Sequence, residues 1–265
     1  MEITELQNIR ELYLDGASSV TIGKIHGRPA STICSALRRS GVVLREPIQI
    51  ELSDNLNFLS YFYGVILGDG HLVKNVKKHQ IAIASSDYEH LESIQKFLNH
   101  GKILTTSNGG YSLTFCSREY TKWLLDLGCL RGNKSSKIAF PDPDSNLNLS
   151  LVLLGLIDTD GCWIQPIRGK VRGNYCTTSK TNMVDKLSSY LSEIGVLHGI
   201  ALRKKYKEHH TQLYCVSFLS KTIGNFVNHI YKDAEGLPFL TRKFKKVESL
   251  IDPTLLIKLQ PSGEV

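Results

Sequence analysis

Apolar and polar positions alternate along this chain with two spacings, one helical and one typical of strands. Between residues 56 and 127 they predict helices over 56–69, 87–99 and 118–127, and strands near 71–76, 80–85, 102–106 and 111–116. The paired strands are joined too closely for crossover connections. The pattern therefore predicts an α+β fold with a mostly antiparallel sheet.

The same order of elements recurs later in the chain. "FYGVILGDG" at 62–70 aligns with "LLGLIDTDG" at 153–161, which sets Gly64 on Gly155 and Asp69 on Asp160, an offset of 91 residues. Residues 81–101 likewise resemble 175–195, each as a strand, a serine-rich start, a helix and a glycine stop. We therefore predict two tandem units, 47–140 and 150–265, separated by a proline-rich linker at 141–149.

Small residues four apart mark one face of each motif helix, and they are Gly64 with Gly68, and Gly155 with Thr159. Such faces let two helix backbones approach closely. The helix ends would then lie side by side and bring Asp69 and Asp160 together. Two adjacent carboxylates repel each other unless a cation lies between them. We predict Mg²⁺, or another divalent cation such as Mn²⁺, with the main-chain carbonyls of Gly68 and Thr159 as further ligands. The alternative is two ordinary Asp-Gly turns.

Charge and composition narrow the classes of partner. The net charge is +7 and the sequence pI is about 9.0, with basic clusters such as "LRKKYK" and "TRKFKK" spread over the second half. This distribution suits a phosphate backbone. The apolar runs are too short to span a bilayer, so no membrane partner is expected. Six cysteines without a CxxC pair indicate reduced thiols. We expect an intracellular location, either a prokaryotic cytoplasm or the interior of an organelle.

The two motifs and the repeated order of elements resemble the LAGLIDADG homing endonucleases in their two-motif, single-chain form. "LLGLIDTDG" matches the motif at seven of nine positions. The resemblance implies two pseudo-symmetric αββαββα units that form a saddle-shaped antiparallel sheet surface, in an enzyme that cuts long double-stranded DNA sites with Mg²⁺. It assigns metal binding to Asp69 and Asp160. Leu67 stands where the second copy has Asp158, at a position that is not a metal ligand in the family.

The resemblance also implies a basic residue late in each unit that acts as a base or an electrostatic stabiliser. Lys134 in "LRGNKSSKIAFP" and Lys243 in "LPFLTRKFKK" fit this role, and the alternative for each is a solvated surface lysine. Ser86 and the pair Ser179-Lys180 match a family position that helps to hold active-site water, or they are plain N-caps. The saddle would lie along the DNA major groove. The candidate DNA contacts are Lys74, Lys77, Gln165, Arg168, Arg172, Lys180, Arg203 and Lys205.

Residues 1–46 lie outside the repeat and read as three short helices, with breaks at 15–16 and 27–28. Pro29 suits the first turn of the third helix, and Gly41 suits its end. The segment resembles a small all-α helix-turn-helix of the resolvase type. Its third helix would direct toward a DNA groove the residues Ser31, Thr32, Ser35, Arg38 and Arg39. The alternative is a helical bundle that packs on protein.

Three functions are compatible with these patterns. The first is a site-specific double-stranded DNA endonuclease, which would be a monomer because its pseudo-twofold partner is supplied in the same chain. The second is a catalytically silent DNA-binding regulator. The third is an RNA-binding helper of intron splicing, a maturase. Both acids and both lysines are present, which favours the endonuclease, while no sequence feature argues for or against RNA.

Overall fold

A computed structural model of the chain describes residues 2–44, 50–76, 78–165, 170–203 and 212–259. The chain divides into two units, Met1–Gln49 and Ile50–Val265. All six cysteines are free thiols. Among the described residues, no helix has both the length and the apolar character needed to cross a membrane.

The N-terminal unit contains three helices, which are α1 (Ile3–Leu14), α2 (Ser19–Ile25) and α3 (Ala30–Arg39). Ser18 caps α2, because its hydroxyl accepts the amide N–H of Thr21 at 3.0 Å. A tight contact joins α2 to the turn that follows it, since a Cβ on Gly23 would lie 2.5 Å from the carbonyl of Arg28. The buried core of this unit consists of Ile9, Tyr13, Ile22, Ile33 and Leu37.

The second unit contains the two repeats. The first repeat comprises α4 (Leu56–Gly68), β1 (Gly70–Leu72), β2 (Gln80–Ser85), α5 (Tyr88–Leu98), β3 (Lys102–Thr105), β4 (Tyr111–Cys116) and α6 (Arg118–Asp126). The second repeat comprises α7 (Leu149–Asp160), β5 (Gly161–Ile164), β6 (Arg172–Thr177), a π-helical turn (Lys180–Asp185), α8 (Lys186–Glu193), β7 (His198–Arg203), β8 (Leu213–Phe218) and α9 (Ile223–Tyr231). The chain continues into α10 (Thr241–Phe244), a 3₁₀ turn (Glu248–Leu250) and α11 (Pro253–Leu259).

Each repeat builds one antiparallel four-stranded sheet. The strand orders are β1-β2-β4-β3 and β5-β6-β8-β7, so the second sheet repeats the topology of the first. One face of each sheet packs on helices in a core shared by both repeats, through side chains such as Ile81, Ile83, Tyr175 and Val216. The other face is left open. These features confirm the predicted α+β class with two pseudo-symmetric αββαββα units.

Two details differ from the sequence prediction. Strand β1 ends at Leu72 rather than near residue 76, because the chain turns there and the N–H of Lys78 binds the carbonyl of Asn75. The middle helices of the two repeats are α5 and the π-helical turn with α8. They also align with each other two residues away from the predicted match. The positions that precede them are Asp87 and Ser179, whereas the sequence match set Ser86 beside Ser179-Lys180. The second repeat is longer here, and a π-helical turn accommodates extra residues within a helix.

Candidate active site

The two motif helices, α4 and α7, touch through their backbones. A Cβ on Gly64 would lie 2.1 Å from the carbonyl oxygen of Val152, and a Cβ on Gly155 would lie 2.3 Å from that of Tyr61. No side chain fits at either position, and the neighbouring atoms belong to backbone that cannot rotate away. The glycines therefore set the distance between the helices.

The C-terminal ends of α4 and α7 meet at what we call the seam, formed by Gly68, Asp69, Thr159 and Asp160. A Cβ on Gly68 would lie 2.0 Å from Thr159 Oγ1 and 3.4 Å from Asp160 Oδ2. Asp69 directly follows Gly68 as the C-cap of α4, and Asp160 is the last residue of α7. The two carboxylates thus lie at the same end of the helix pair, one from each repeat.

Both carboxylates at the seam are disfavoured in their charged form. Burial raises the pKa of Asp69 to about 6, and the nearby Asp160 carboxylate adds to this, while Lys243 and Lys134 oppose it. Burial also raises the pKa of Asp160, again against the two lysines. Neither side chain forms an ion pair or accepts a hydrogen bond within the part of the chain that the structure describes. The carboxylate oxygens are therefore available to a cation.

Each lysine caps the motif helix of its own repeat. Lys134 Nζ donates to the carbonyl of Gly68 at 2.8 Å and to that of Leu67. Lys243 Nζ shares its three N–H groups among four carbonyls, those of Ile157, Asp158 and Gly161 at 2.7 Å and that of Thr159 at 3.1 Å. The last carbonyls of a helix lack intrahelical partners, and its C-terminus attracts cations.

Both lysine side chains are buried, with exposures of 8% for Lys134 and 5% for Lys243, so neither is a solvated surface lysine. Burial lowers the pKa of each, and the surrounding carboxylates oppose this. The carbonyls around Lys243 require more than the two N–H groups of a neutral amine, and those around Lys134 lie at a helix C-terminus, which attracts a cation. This geometry supports an electrostatic role for both lysines rather than that of a base.

The seam fits Mg²⁺ or Mn²⁺ better than a metal that requires a protein cage. The described residues contain no group of three or more His, Cys, Asp or Glu side chains placed to hold a metal ion. Two carboxylates, helix-end carbonyls, water and substrate oxygens are the mixture of ligands that Mg²⁺ prefers. The carbonyls of Gly68 and Thr159 already accept from the lysines. A carbonyl has a second lone pair, so both can still serve a cation.

Asp158 belongs to a separate buried network beside the seam. Its Oδ2 accepts the hydroxyl of Tyr61 at 2.9 Å and the amide N–H of Leu240 at 2.8 Å, and Tyr61 also bonds His90 Nε2 at 2.7 Å. Burial raises the pKa of Asp158 to about 6, while the bonds from Leu240 and Tyr61 oppose this. Asp158 therefore anchors the segment that leads to Lys243, three residues beyond Leu240.

The predicted DNA contacts of the sheets are placed unevenly. Arg172 begins β6 and Arg203 ends β7, both exposed, and the strand register puts them on the same open face. Lys74 lies in the turn after β1, so its prediction as a strand residue is wrong. Gln165 lies just beyond β5 and donates to the carbonyl of Lys246, and Lys180 begins the π-helical turn. Lys77, Arg168 and Lys205 lie outside the described residues.

The third helix of the N-terminal unit presents an exposed polar face. This face carries Ser31, Ser35, Arg38 and Arg39, while Thr32 is half-buried. The Ser35 hydroxyl donates to the carbonyl of Ser31 at 2.9 Å, and Arg39 Nε donates to that of Ser35 at 3.3 Å. These bonds use only part of the donor capacity of Arg39, and its guanidinium keeps further N–H groups for a ligand.

Several residues near the seam or on the open faces were not predicted. His71 and Lys102 project from the open face of the first sheet, and the alternation of side chains along β1 and β3 could have indicated them. Asp87 and Arg242 form a two-bond ion pair with N···O distances of 2.6 and 2.8 Å. They are far apart in sequence, and no local pattern links them.

Comparisons with known proteins agree on the fold. No protein-family model matches the chain, and no curated protein matches it. The chain is similar to the solved structure of the homing endonuclease I-DmoI, with 16% identity, a TM-score of 0.50 and coverage of 72% of this chain and 98% of that chain. Other similar structures are I-WcaI bound to its DNA recognition sequence (14% identity, TM-score 0.47, coverage of 88% and 94%) and the N-terminal LAGLIDADG domain of WhiA (14%, 0.43, 68% and 86%). The chain thus has the fold of LAGLIDADG homing endonucleases.

Proposed function

We propose that this protein is a site-specific endonuclease that uses a divalent cation to cut both strands of double-stranded DNA. The observation that carries this proposal is the seam, where Asp69 and Asp160 meet at the ends of two equivalent helices. A pair of metal-binding acids related by pseudo-twofold symmetry suits a substrate that has its own local twofold symmetry, the DNA duplex. The likeness of the fold to homing endonucleases supports the same function.

The residues of the seam divide the work of phosphodiester hydrolysis. Asp69 and Asp160 would hold Mg²⁺ or Mn²⁺. Structures of I-DmoI variants with their target DNA were determined, one in the presence of Mn and another in the presence of Mg. Such a cation neutralises charge on the phosphate and lowers the pKa of a bound water. Lys134 and Lys243 fix the helix ends that carry the acids, and their ammonium groups add positive charge where negative charge develops on the phosphate.

The duplex would lie across the open faces of the two sheets, where Arg172 and Arg203 supply positive charge. We further propose that α3 of the N-terminal unit contacts DNA through its exposed face, with Arg38 and Arg39 against phosphates. One chain already contains both halves of the site. It would therefore act as a monomer, and a dimer observed by light scattering without DNA would contradict this.

The decisive experiment is cleavage of a randomised duplex library in Mg²⁺, followed by sequencing of the cut ends. We expect a recurring long site, cut in both strands only when a divalent cation is present. Duplex binding in Ca²⁺ without cleavage in Mg²⁺ or Mn²⁺ would refute the nuclease and support a silent DNA-binding regulator. Stronger binding to structured intron RNA than to duplex DNA at equal salt would instead support a splicing helper.

A further inference from the structure

Each lysine-bearing segment crosses to the middle helix of the other repeat. After Lys134 the chain reaches the π-helical turn that leads into α8, where Ser179 Oγ donates to the carbonyl of Ile138 at 2.7 Å. Next to Lys243 the chain reaches the start of α5, where Arg242 pairs with Asp87. The two crossings reach corresponding N-cap positions, Ser179 and Asp87, but through different parts of the segments, four residues after Lys134 and one residue before Lys243. The first contact is neutral and the second is an ion pair.

We infer that Arg242 binds a DNA phosphate beside the seam, and that Asp87 holds its guanidinium until DNA takes it. This inference rests on the proposed function as a DNA endonuclease. It adds to that function a phosphate contact exchanged between protein and substrate, which neither the family motif nor the repeat predicted.

The position of the ion pair puts Arg242 next to the reacting region. Arg242 directly precedes Lys243, whose Nζ reaches the carbonyls of Thr159 and Gly161 on either side of Asp160. On the other repeat, the carbonyl of Asp69 accepts the N–H of Ala84, three residues before Asp87. Both partners are thus tied to the seam through short lengths of hydrogen-bonded backbone.

The fold does not require this ion pair. At the corresponding N-cap position of the other repeat, Ser179 donates to a main-chain carbonyl, so a neutral contact is sufficient at that helix start. The Arg242 side chain is 52% exposed and that of Asp87 is 21% exposed. Exposed ion pairs contribute only about 0–1 kcal/mol to stability. The ion pair of Arg242 therefore contributes little to the stability of the fold, whereas its positive charge is well placed to bind a phosphate.

The chemistry of the pair favours exchange. A guanidinium binds a phosphate with the same two-bond geometry that it uses for a carboxylate. The pair borders a cavity of about 400 Å³ between the start of α5 and residues 239–242, which leaves room at the guanidinium. Arg242 can therefore change partners without a change in the surrounding backbone.

Asp87 has a second partner available when Arg242 leaves. It occupies the N-cap position of α5, yet its side chain makes no capping hydrogen bond, because both oxygens face Arg242. The first amide N–H groups of a helix lack intrahelical partners, and an N-cap aspartate usually accepts one of them. Once released, Asp87 can cap α5, and this offsets the loss of the ion pair.

The test measures how duplex binding depends on salt. Affinities of the full chain for a labelled mixed-sequence duplex are determined in Ca²⁺ over a range of salt concentrations. For Arg242→Gln we expect affinity about tenfold lower, as for loss of a charged hydrogen bond, and a log–log salt slope reduced by about 0.9. Arg242→Lys keeps the positive charge and should retain the parental slope.

The matched control is Lys186→Gln. Lys186 on α8 also forms an ion pair with a crossing segment, through Asp142 at 2.6 Å, but Asp142 lies eight residues beyond Lys134, whereas Arg242 is next to Lys243. This variant removes the same charge and the same type of contact away from the seam. We expect its salt slope to equal that of the unchanged chain.

Asp87→Asn tests the exchange itself. Removing the competing carboxylate should tighten duplex binding severalfold. The double variant Asp87→Asn/Arg242→Gln should bind no more tightly than Arg242→Gln alone. A gain that persists in the double variant would show that Asp87 only repels DNA, and would overturn the exchange.

Equal salt slopes for Arg242→Gln and the unchanged chain would overturn the phosphate contact. In that case the proposed function would still stand if the unchanged chain cuts DNA. If Arg242→Gln lowers the melting temperature, the Arg242→Lys variant decides whether the slope reports a phosphate contact. Because lysine keeps the positive charge, a salt slope that is also reduced in Arg242→Lys would refute a phosphate role. An unchanged chain that binds no duplex would refute both proposals.

Discussion

Asp69→Asn should make the metal-free protein more stable while it abolishes cleavage. The side chain lies in the seam with Asp160, partly buried and without a hydrogen-bond donor among the described residues. Asparagine has almost the same size and shape, so the helix contact at Gly68 is unaffected. The substitution removes one of two negative charges that repel each other, and with it half of the side-chain charge that would bind the cation.

The size of the stability gain follows from the pKa of Asp69, which burial and then Asp160 raise from 3.8 to about 6. A shift of about two pKa units corresponds to at most about 3 kcal/mol at neutral pH. The side chain retains some contact with solvent, which screens the repulsion, so we expect about 1–2 kcal/mol. Because the folded pKa is raised, the favourable contribution of this group is fully present below pH 3.8 and is lost as the pH rises through about 6. The stability advantage of the asparagine variant should therefore appear between pH 4 and pH 6.

The assay combines urea unfolding at several pH values with a nicking and linearisation time course in Mg²⁺. We expect equal unfolding free energies near pH 4, a more stable variant at pH 7, and a cleavage rate lower by about 10³-fold, since a metal contributes several kcal/mol to catalysis. Duplex binding in Ca²⁺ should persist, because it rests on many basic contacts. An asparagine variant that cuts at the parental rate would refute the seam as the active site. One that is less stable than the parent at pH 7 would refute the raised pKa of Asp69.

Three further predictions concern the helix contact, the lysines and the N-terminal unit. Gly155→Ala should destabilise the protein by about 3 kcal/mol or more, because its Cβ would meet the backbone of α4, and a normal melting temperature would contradict the described packing. Lys243→Met should lose more unfolding free energy in urea than Lys134→Met, by about 1 kcal/mol or more, because four carbonyls rather than two lose their donor. Deletion of residues 1–46 should weaken duplex binding yet leave metal-dependent cleavage intact, as gel shifts and time courses would show, whereas loss of folding would assign the segment a structural role.

The elements that could be predicted are those whose signal is local. The helix predicted over 56–69 is observed as Leu56–Gly68, and the strands predicted near 80–85 and 111–116 are observed at Gln80–Ser85 and Tyr111–Cys116. Each of these elements carries its own apolar spacing and its own terminating residues. The seam could be predicted too, because the small residues and the acid sit at fixed intervals within one helix and the repeat supplies the second copy.

The contacts that could not be predicted depend on distant segments. A lysine that caps a helix end and a lysine in solvent look alike in sequence, and only the fold shows that Lys243 meets four carbonyls. The pairing of Asp87 with Arg242 spans 155 residues. The end of β1 at Leu72 was not predicted, because polar residues in a turn and on an exposed strand face follow the same pattern.

The difference between Leu67 and Asp158 shows where the two repeats have diverged. Asp158 is buried, but Tyr61 and the N–H of Leu240 both donate to it, so its burial is compensated in part. Leu67 occupies the equivalent place in the first repeat and is equally buried, with an exposure of 2%. Both repeats keep the acid that follows two residues later, at the seam. The divergence therefore affects the anchoring of the segment that leads to Lys243, where Asp158 accepts the N–H of Leu240 and Leu67 offers no counterpart. The proposed cleavage of both strands needs symmetry only at the helix ends, and there each repeat supplies one acid and one lysine.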